Sequence, residues 1–451
     1  MHQDHRRGTR ALHDPGVKDL MNQAQPSTGR LGILVGGGPA PGINAVVAAA
    51  TIRARLSGAE VIGITNGFQR LLSEDPEAEG AFRPLEISDV SRIHFRGGSA
   101  LGTSRANPTR TEDDLDRVLG ALAARGIERL ITIGGDDTAF SCSKLAERAG
   151  DRLSVAHVPK TIDNDLDLPS AVDTFGYQTA RSVGVEIVQN LMVDAKTTGR
   201  WYVVIAMGRK AGHLGLGIGK AAGATMTIIP EEFREGTLTL SRVVDTIVGG
   251  IIKRQAEGRR DGVAVVAEGV ALGVEPEELE ALGPAERDAH GHVRLAEVDI
   301  GILIKKKVRA RLDALGIDTT VVSKNLGYEL RCADPVPFDM EYCRDLGYCA
   351  AKFLLEGGSG SLMSMQAGRF VPVRLSDLLD PQTGRMQVRM VDVESTRYAI
   401  ARRYMIRLRR DDLENPRELS ALAGACNLST EDFVEQFNYL VEDELPPLVL
   451  I

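Results

Sequence analysis

The stretch Arg129-Leu-Ile-Thr-Ile-Gly-Gly-Asp-Asp-Thr138 joins an apolar, β-branched run to two glycines and two adjacent acids. An unbroken apolar run predicts a strand covered on both faces, and the glycines predict a tight turn into a helix. Glycines at a strand-to-helix turn bring backbone N–H groups toward an anion. Asp136 and Asp137 then pose a problem, because a phosphate repels carboxylates. One acid is reconciled with a phosphate by a bridging Mg²⁺; the second is not.

The same run-then-turn pattern recurs outward in both directions. It appears at Leu31-Gly-Ile-Leu-Val, Val61-Ile-Gly-Ile, Val155-Ala-His-Val, Trp201-Tyr-Val-Val-Ile-Ala, Met226-Thr-Ile-Ile and Val263-Ala-Val-Val-Ala. Between these runs lie helical stretches. In one, Leu115, Val118, Leu119 and Leu122 share a face, Thr111 stands as N-cap and Gly126 follows the last turn. Strands alternating with helices predict an α/β chain with mostly parallel sheets, whose ligands gather at the carboxyl ends of the strands.

With 451 residues, the chain is long enough for two lobes. A net charge of −8 argues against nucleic-acid or anionic-membrane partners, and there is no apolar run of membrane-spanning length. Residues 1–30 are polar, without the apolar core of a secretory signal, and read as a flexible tail on a cytoplasmic protein. The five cysteines include no CxxC pair and the histidines no metal-ligand spacing, so the thiols read as reduced and mostly buried. The polar stretch Leu272–Ala296 and the acidic region from Asp411 read as lying outside the core.

Four further motifs stand at strand ends. Gly36-Gly-Gly-Pro-Ala-Pro-Gly-Ile-Asn44 precedes a helix predicted over Ala45–Leu56 and reads as an anion site or a tight turn. By contrast Gly215-Leu-Gly-Ile-Gly-Lys220 lacks the Ser or Thr of a phosphate loop and reads as close helix packing. Pro159-Lys-Thr-Ile-Asp-Asn-Asp165 sets two carboxylates beside a cation and a hydroxyl, which suits a general base for a phosphoryl acceptor; a helix-capping turn is the other reading. Met207-Gly-Arg209, with Arg200 before its strand, and Arg331 in Gly327-Tyr-Glu-Leu-Arg offer guanidinium grips for a sugar phosphate. Glu268 can accept hydrogen bonds from sugar hydroxyls.

In this order the motifs resemble the phosphofructokinase family from about Leu31 to Asp380. The resemblance implies two Rossmann-like lobes with the active site in the cleft between them. It divides the chain into a donor lobe (31–172 with 332–395), a sugar-phosphate lobe (173–331) and a C-terminal helical region (396–451). It makes Asp163 the base toward the 1-hydroxyl of fructose 6-phosphate, Asp136 the Mg²⁺ residue, and Gly37 and Gly38 donor contacts. Arg105, in Leu101-Gly-Thr-Ser-Arg, would steady the phosphoryl group in transit, with Lys160 and Arg209. Thr161, Ile162, Met207, Gly208, Arg209, Glu268 and the run Tyr328, Glu329, Leu330, Arg331 would meet the sugar phosphate. Arg200 would reach a neighbouring subunit's site, which implies a homodimer or homotetramer with shared active sites. Asp137 and Lys160 replace the two glycines of the ATP-using pattern (GGDG and PGTIDND), which resembles the pyrophosphate-dependent branch. Pro39 and Met340 also depart from the ATP pattern, and the effector contacts of bacterial ATP enzymes have no recognisable counterpart, so weak allosteric control is predicted. An ATP-dependent kinase, an NAD kinase sharing the Gly-Gly-Asp turn and a non-catalytic sugar-phosphate binder are the rival readings. Whether sedoheptulose 7-phosphate is also an acceptor stays open.

Overall fold

The computed structural model describes residues 29–73, 75, 80–169, 172–275, 299–442, 444, 446 and 448–450. The predicted tail lies outside them, apart from its last two residues.

The apolar runs form two sheets. In the larger, strands β1 (Arg30–Val35), β2 (Val61–Ile64), β4 (Ile127–Gly134), β5 (Ser154–Thr161) and β11 (Ser361–Leu362) are parallel, in the order β11-β5-β4-β1-β2. Antiparallel β3 (Phe82–Pro84) and β12 (Val373–Arg374) close the two edges, and β6 (Phe175–Gly176) pairs with the carboxyl end of β5. Alternation is hidden in the sequence because both faces are apolar. Leu31, Ile33 and Val35 meet helices α1 (Ile43–Leu56) and α8 (Pro337–Leu355), whereas Leu34 turns toward α2 (Glu112–Ala124) and α3 (Asp136–Ala149). Thr111 caps α2 as predicted, its hydroxyl accepting from the Asp114 N–H at 3.1 Å. Helix α1 starts two residues earlier than predicted, because Gly42 at φ 103° serves as its cap and leaves Ile43 and Asn44 free to enter the first turn.

The smaller sheet is wholly parallel, β10-β7-β9-β8, built from β7 (Trp201–Ala206), β8 (Met226–Ile228), β9 (Gly262–Ala267) and β10 (Val321–Leu326). Helices α4 (Tyr177–Thr198) and α5 (His213–Ala222) cover one face. α6 (Leu240–Ala256) and α7 (Ile300–Ala314) cover the other. The Gly215–Lys220 stretch is close packing, as expected. A Cβ on Gly219 would lie 2.0 Å from the Thr227 hydroxyl oxygen, and one on Gly217 2.5 Å from that of Tyr177.

The C-terminal region corrects the sequence reading. Helices α9 (Thr396–Tyr404), α10 (Pro416–Ala425) and α11 (Thr430–Phe437) follow, and Leu422, Ala423, Cys426, Phe433 and Phe437 are buried against α6 and α7. Their apolar residues fall on one helical face, so the acidic outer face dominated the composition while the inner face completes a core. Each buried phenylalanine contributes about 1.5–3 kcal/mol. Of the stretch Leu272–Ala296, residues 276–296 lie outside the described ones, and Val274 is buried. Cys142, Cys343 and Cys426 are buried free thiols; Cys332 is exposed and Cys349 half-buried.

Candidate active site

The turns following β1, β4 and β5 of the larger lobe face those following β7 and β10 of the smaller one. After β1, Gly36 must be glycine, because a Cβ there would sit 2.5 Å from the Thr138 hydroxyl oxygen at the start of α3. Its backbone N–H bonds to Ile133, while that of Gly37 (φ 79°) bonds to Ser104 at 2.8 Å. Buried His157 fixes the neighbouring Gly134 carbonyl. Its Nε2 must donate to that carbonyl at 3.0 Å, so its Nδ1 accepts from Thr132 at 2.8 Å, and burial holds its pKa down at about 3.

Lys160, near the end of β5, is 4% exposed and points its Nζ into the glycine turn, donating to the Gly38 carbonyl. Burial, then the nearby Arg331 cation, lower its pKa to about 7; half-buried Arg105 adds to the same field. Arg331 also stands against Gly38, where an added Cβ would lie 3.4 Å from the guanidinium carbon. Thus the predicted sugar-phosphate clamp borders the predicted donor turn.

Asp163 and Asp165 follow, both about 5% exposed. Between them Asn164 takes a left-handed φ of 57°, a conformation asparagine tolerates better than most residues. Thr161 accepts from the Asp163 N–H at 3.1 Å and donates to Asp165 Oδ1 at 3.2 Å. Asp163 Oδ1 is buried without a hydrogen-bond partner among the described residues. Burial raises the pKa of both acids. An orphaned buried acceptor costs about 1–3 kcal/mol, which marks it for an explanation.

Across the cleft Arg209, itself at φ 54°, reaches Asp136 at the head of α3, with Nη1 2.7 Å from Oδ1 and 3.7 Å from Asp165 Oδ2. Asp136, then Asp165 and half-buried Asp137, raise the pKa of Arg209. Glu268 is held by backbone. Its Oε1 accepts the backbone N–H groups of Gly208 at 2.9 Å and Arg209 at 2.5 Å, so it clamps the Met207-Gly-Arg turn. Ile162, Met207 and Leu330 place their side chains in one apolar cluster with Ala40, stitching the lobes together rather than lining the cleft. Glu329 turns to Lys324 and the Gly327 N–H, and Tyr328 is exposed under the Arg331 guanidinium, 5.0 Å from its ring centre. Arg200 is not brought to this site. It pairs with Asp194 at 3.8 Å at the opposite end of β7, roughly 20 Å along a six-residue strand from Met207.

Two supports escaped the sequence reading. Asp339 is fully buried and accepts from the Gly176 and Thr179 N–H groups and the Thr179 hydroxyl, anchoring the head of α4. Arg389 lies under the Asp163–Asp165 turn, donating to the carbonyls of Asn164, Leu168 and Val172 and to the Asn164 side chain. Phe338-Asp339 stood beside a noted departure, whereas nothing near Arg389 resembled a motif.

Residues 30–354 match the family model described as phosphofructokinase. A pyrophosphate–fructose 6-phosphate 1-phosphotransferase of Naegleria fowleri is 49% identical, the match covering 91% of this chain and 96% of that protein. One of Thermotoga maritima, with the same name, is 50% identical over 92% of this chain and 99% of its own length. Among solved structures, a pyrophosphate-dependent phosphofructokinase of Marinobacter aquaeolei superposes with a TM-score of 0.60 at 18% identity, covering 94% of each chain.

Proposed function

The chain belongs to the phosphofructokinase family, and from that premise we propose that it transfers a phosphoryl group reversibly between pyrophosphate and the 1-hydroxyl of fructose 6-phosphate. The products are fructose 1,6-bisphosphate and phosphate. Residues 31–172 with 332–395 act as the donor lobe and 173–331 as the sugar-phosphate lobe. The observation that carries the donor assignment is the Lys160 ammonium seated in the Gly37–Gly38 turn. It shortens the donor site to suit a compact anion and offsets that anion's charge. Asp137 adds a carboxylate where a nucleotide's α-phosphate would lie, and at an effective dielectric of ~20 two like charges 4 Å apart cost ~4 kcal/mol. Relatives about half identical to this chain bear the corresponding name.

Asp163 accepts the proton of the 1-hydroxyl as its oxygen attacks the phosphorus in line. Its buried oxygen, without a partner among the described residues, and its raised pKa, closer to the poise of a general base, support this role. The bond to the leaving phosphate breaks as the new one forms, and Lys160, Arg105 and Arg209 offset charge on the group in transit. Arg209 gives up Asp136 as it turns to the sugar phosphate. Asp136 would then hold Mg²⁺, whose chemistry is to neutralise charge on the donor phosphates. A lone carboxylate suits this ion, which keeps several waters and takes its remaining ligands from phosphates; among the described residues there is no group of three or more acids, histidines or cysteines that could hold a metal by itself. Arg200, far from this chain's cleft, serves the partner's site in a homodimer or homotetramer. A cytoplasmic enzyme is the matching location.

Initial rates with pyrophosphate and with ATP, each across fructose 6-phosphate and sedoheptulose 7-phosphate, test the reading. Comparable rates with ATP would overturn the donor assignment.

A further inference from the structure

Beside the edge strand β8 of the smaller lobe lies a cavity of about 70 Å³. That exceeds the ~10–15 Å³ one water needs. Arg242 of α6, Arg402 of α9 and Arg407 line it, with Glu232, Tyr398 and Thr246. Glu232 is already engaged, accepting from Arg407 Nη1 at 2.8 Å and from the Tyr398 hydroxyl at 2.7 Å. Arg407 is 4% exposed; it also donates to the Thr227 carbonyl, while its Nε has no acceptor among the described residues. Arg242 donates to the Tyr439 carbonyl at 3.0 Å. The side chain of Arg402 makes no hydrogen bond or ion pair among the described residues, although Glu232 and, farther off, Glu444 act on it through space. Burial, and then Arg407, lower its pKa to about 10, so it remains charged at neutral pH.

Beside the already engaged Glu232, the Arg402 guanidinium and Arg407 Nε are thus left without an acceptor among the described residues. Charged groups held away from water are costly unless paired. Guanidinium groups present parallel donors that match a phosphate. Nothing in the transfer chemistry uses these residues. We propose that this pocket is a second anion site, taking a compact phosphate dianion, either inorganic phosphate or the terminal group of a small phosphate monoester. The anion completes the pairing of Arg402 and of Arg407 Nε. Its wall continues into the catalytic support. Val393 lines the cavity, the Val391 N–H donates to Glu231 at 3.0 Å, and Arg389 holds the Asn164 turn.

Calorimetric titration of inorganic phosphate onto the full chain tests this, comparing the natural protein with Arg402→Gln and Thr246→Glu. The second variant leaves every arginine in place and adds a repelling carboxylate. The natural protein should show a class of site that both variants bind about tenfold or more weakly, while binding at the cleft persists in all three. Should Arg402→Gln fail to fold, as judged by circular dichroism, Thr246→Glu alone decides. Equal stoichiometry and affinity in the natural protein and Thr246→Glu overturns the proposal. Repeating the titration with glycerol 3-phosphate separates the two sources: the tighter ligand identifies the occupant, and binding of neither that depends on Thr246 again overturns it.

Discussion

The turns that end β5 and β7 are built alike yet treat their acids differently. Each contains a non-glycine residue in left-handed conformation, Asn164 at φ 57° and Arg209 at φ 54°, and each lies beside a buried carboxylate. In the β7 turn, Glu268 receives two backbone N–H groups. In the β5 turn, Asp163 keeps one oxygen buried with no partner among the described residues. A satisfied buried acid holds backbone in place; an unsatisfied one is held in readiness by its surroundings for a group that arrives later. The comparison separates scaffold from chemistry where residue type alone does not.

Exchanging the two acids for their amides is the sharpest way to break it. Asp163→Asn should lower kcat by about 10²–10⁴-fold, the range for a lost general base. Its thermal midpoint should be unchanged or higher, since a neutral amide replaces a buried charge. Unchanged turnover in a steady-state assay would remove Asp163 from the chemistry. Next in size is the donor preference: Asp137→Gly combined with Lys160→Gly should raise the ATP-to-pyrophosphate ratio of kcat/KM by up to about three decades, the equivalent of ~4 kcal/mol. An unmoved ratio would mean that neither side chain selects the donor. Glu268→Gln should instead cost about 1–3 kcal/mol of stability and raise KM for fructose 6-phosphate, as the Arg209 turn loosens. A large loss of kcat at unchanged thermal midpoint would place Glu268 on the side of the chemistry.

The smallest effect is on the pH profile. Asp163 must be ionised to act, and its raised pKa places the acidic limb of kcat/KM above the usual carboxylate range. Lys160 must be protonated to grip the donor, so activity should fall as pH rises through about 7 in the free enzyme. Arginine stays charged throughout this range, hence Lys160→Arg should carry the basic limb to higher pH while leaving the acidic limb in place. Rate profiles across pH check both limbs.

Much of this comparison was legible before the fold. Unbroken apolar runs marked strands covered on both faces, and every residue of the β5 and β7 turns stood at a predicted strand end. The different fates of Asp163 and Glu268 were not legible, because satisfaction depends on which backbone groups come within 3 Å. Arg389 was hidden for a related reason: its partner Asn164 is 225 residues away, and local pattern carries no record of such a contact. Ile162 and Leu330 sit inside motifs of polar residues, yet an apolar side chain beside charged ones turns into the core, as both do. Composition hides the packing role of the region from Asp411, because its acids over the whole stretch outnumber the few inward residues that complete the core.

The order of strands also has a consequence for synthesis on the ribosome. β5 carries Lys160 at its end, yet part of its outer edge is paired by Ser361 and Leu362 and by the Gly360 and Met363 N–H groups. Some two hundred residues, including the whole smaller sheet, must emerge before that edge is covered. Until then the nascent chain presents bare parallel backbone beside its future catalytic turn, the kind of edge that recruits other strands. Chains cut short before Ser361 should therefore accumulate as aggregates rather than as soluble fragments. A strand translated late thus decides whether one translated early keeps its edge covered.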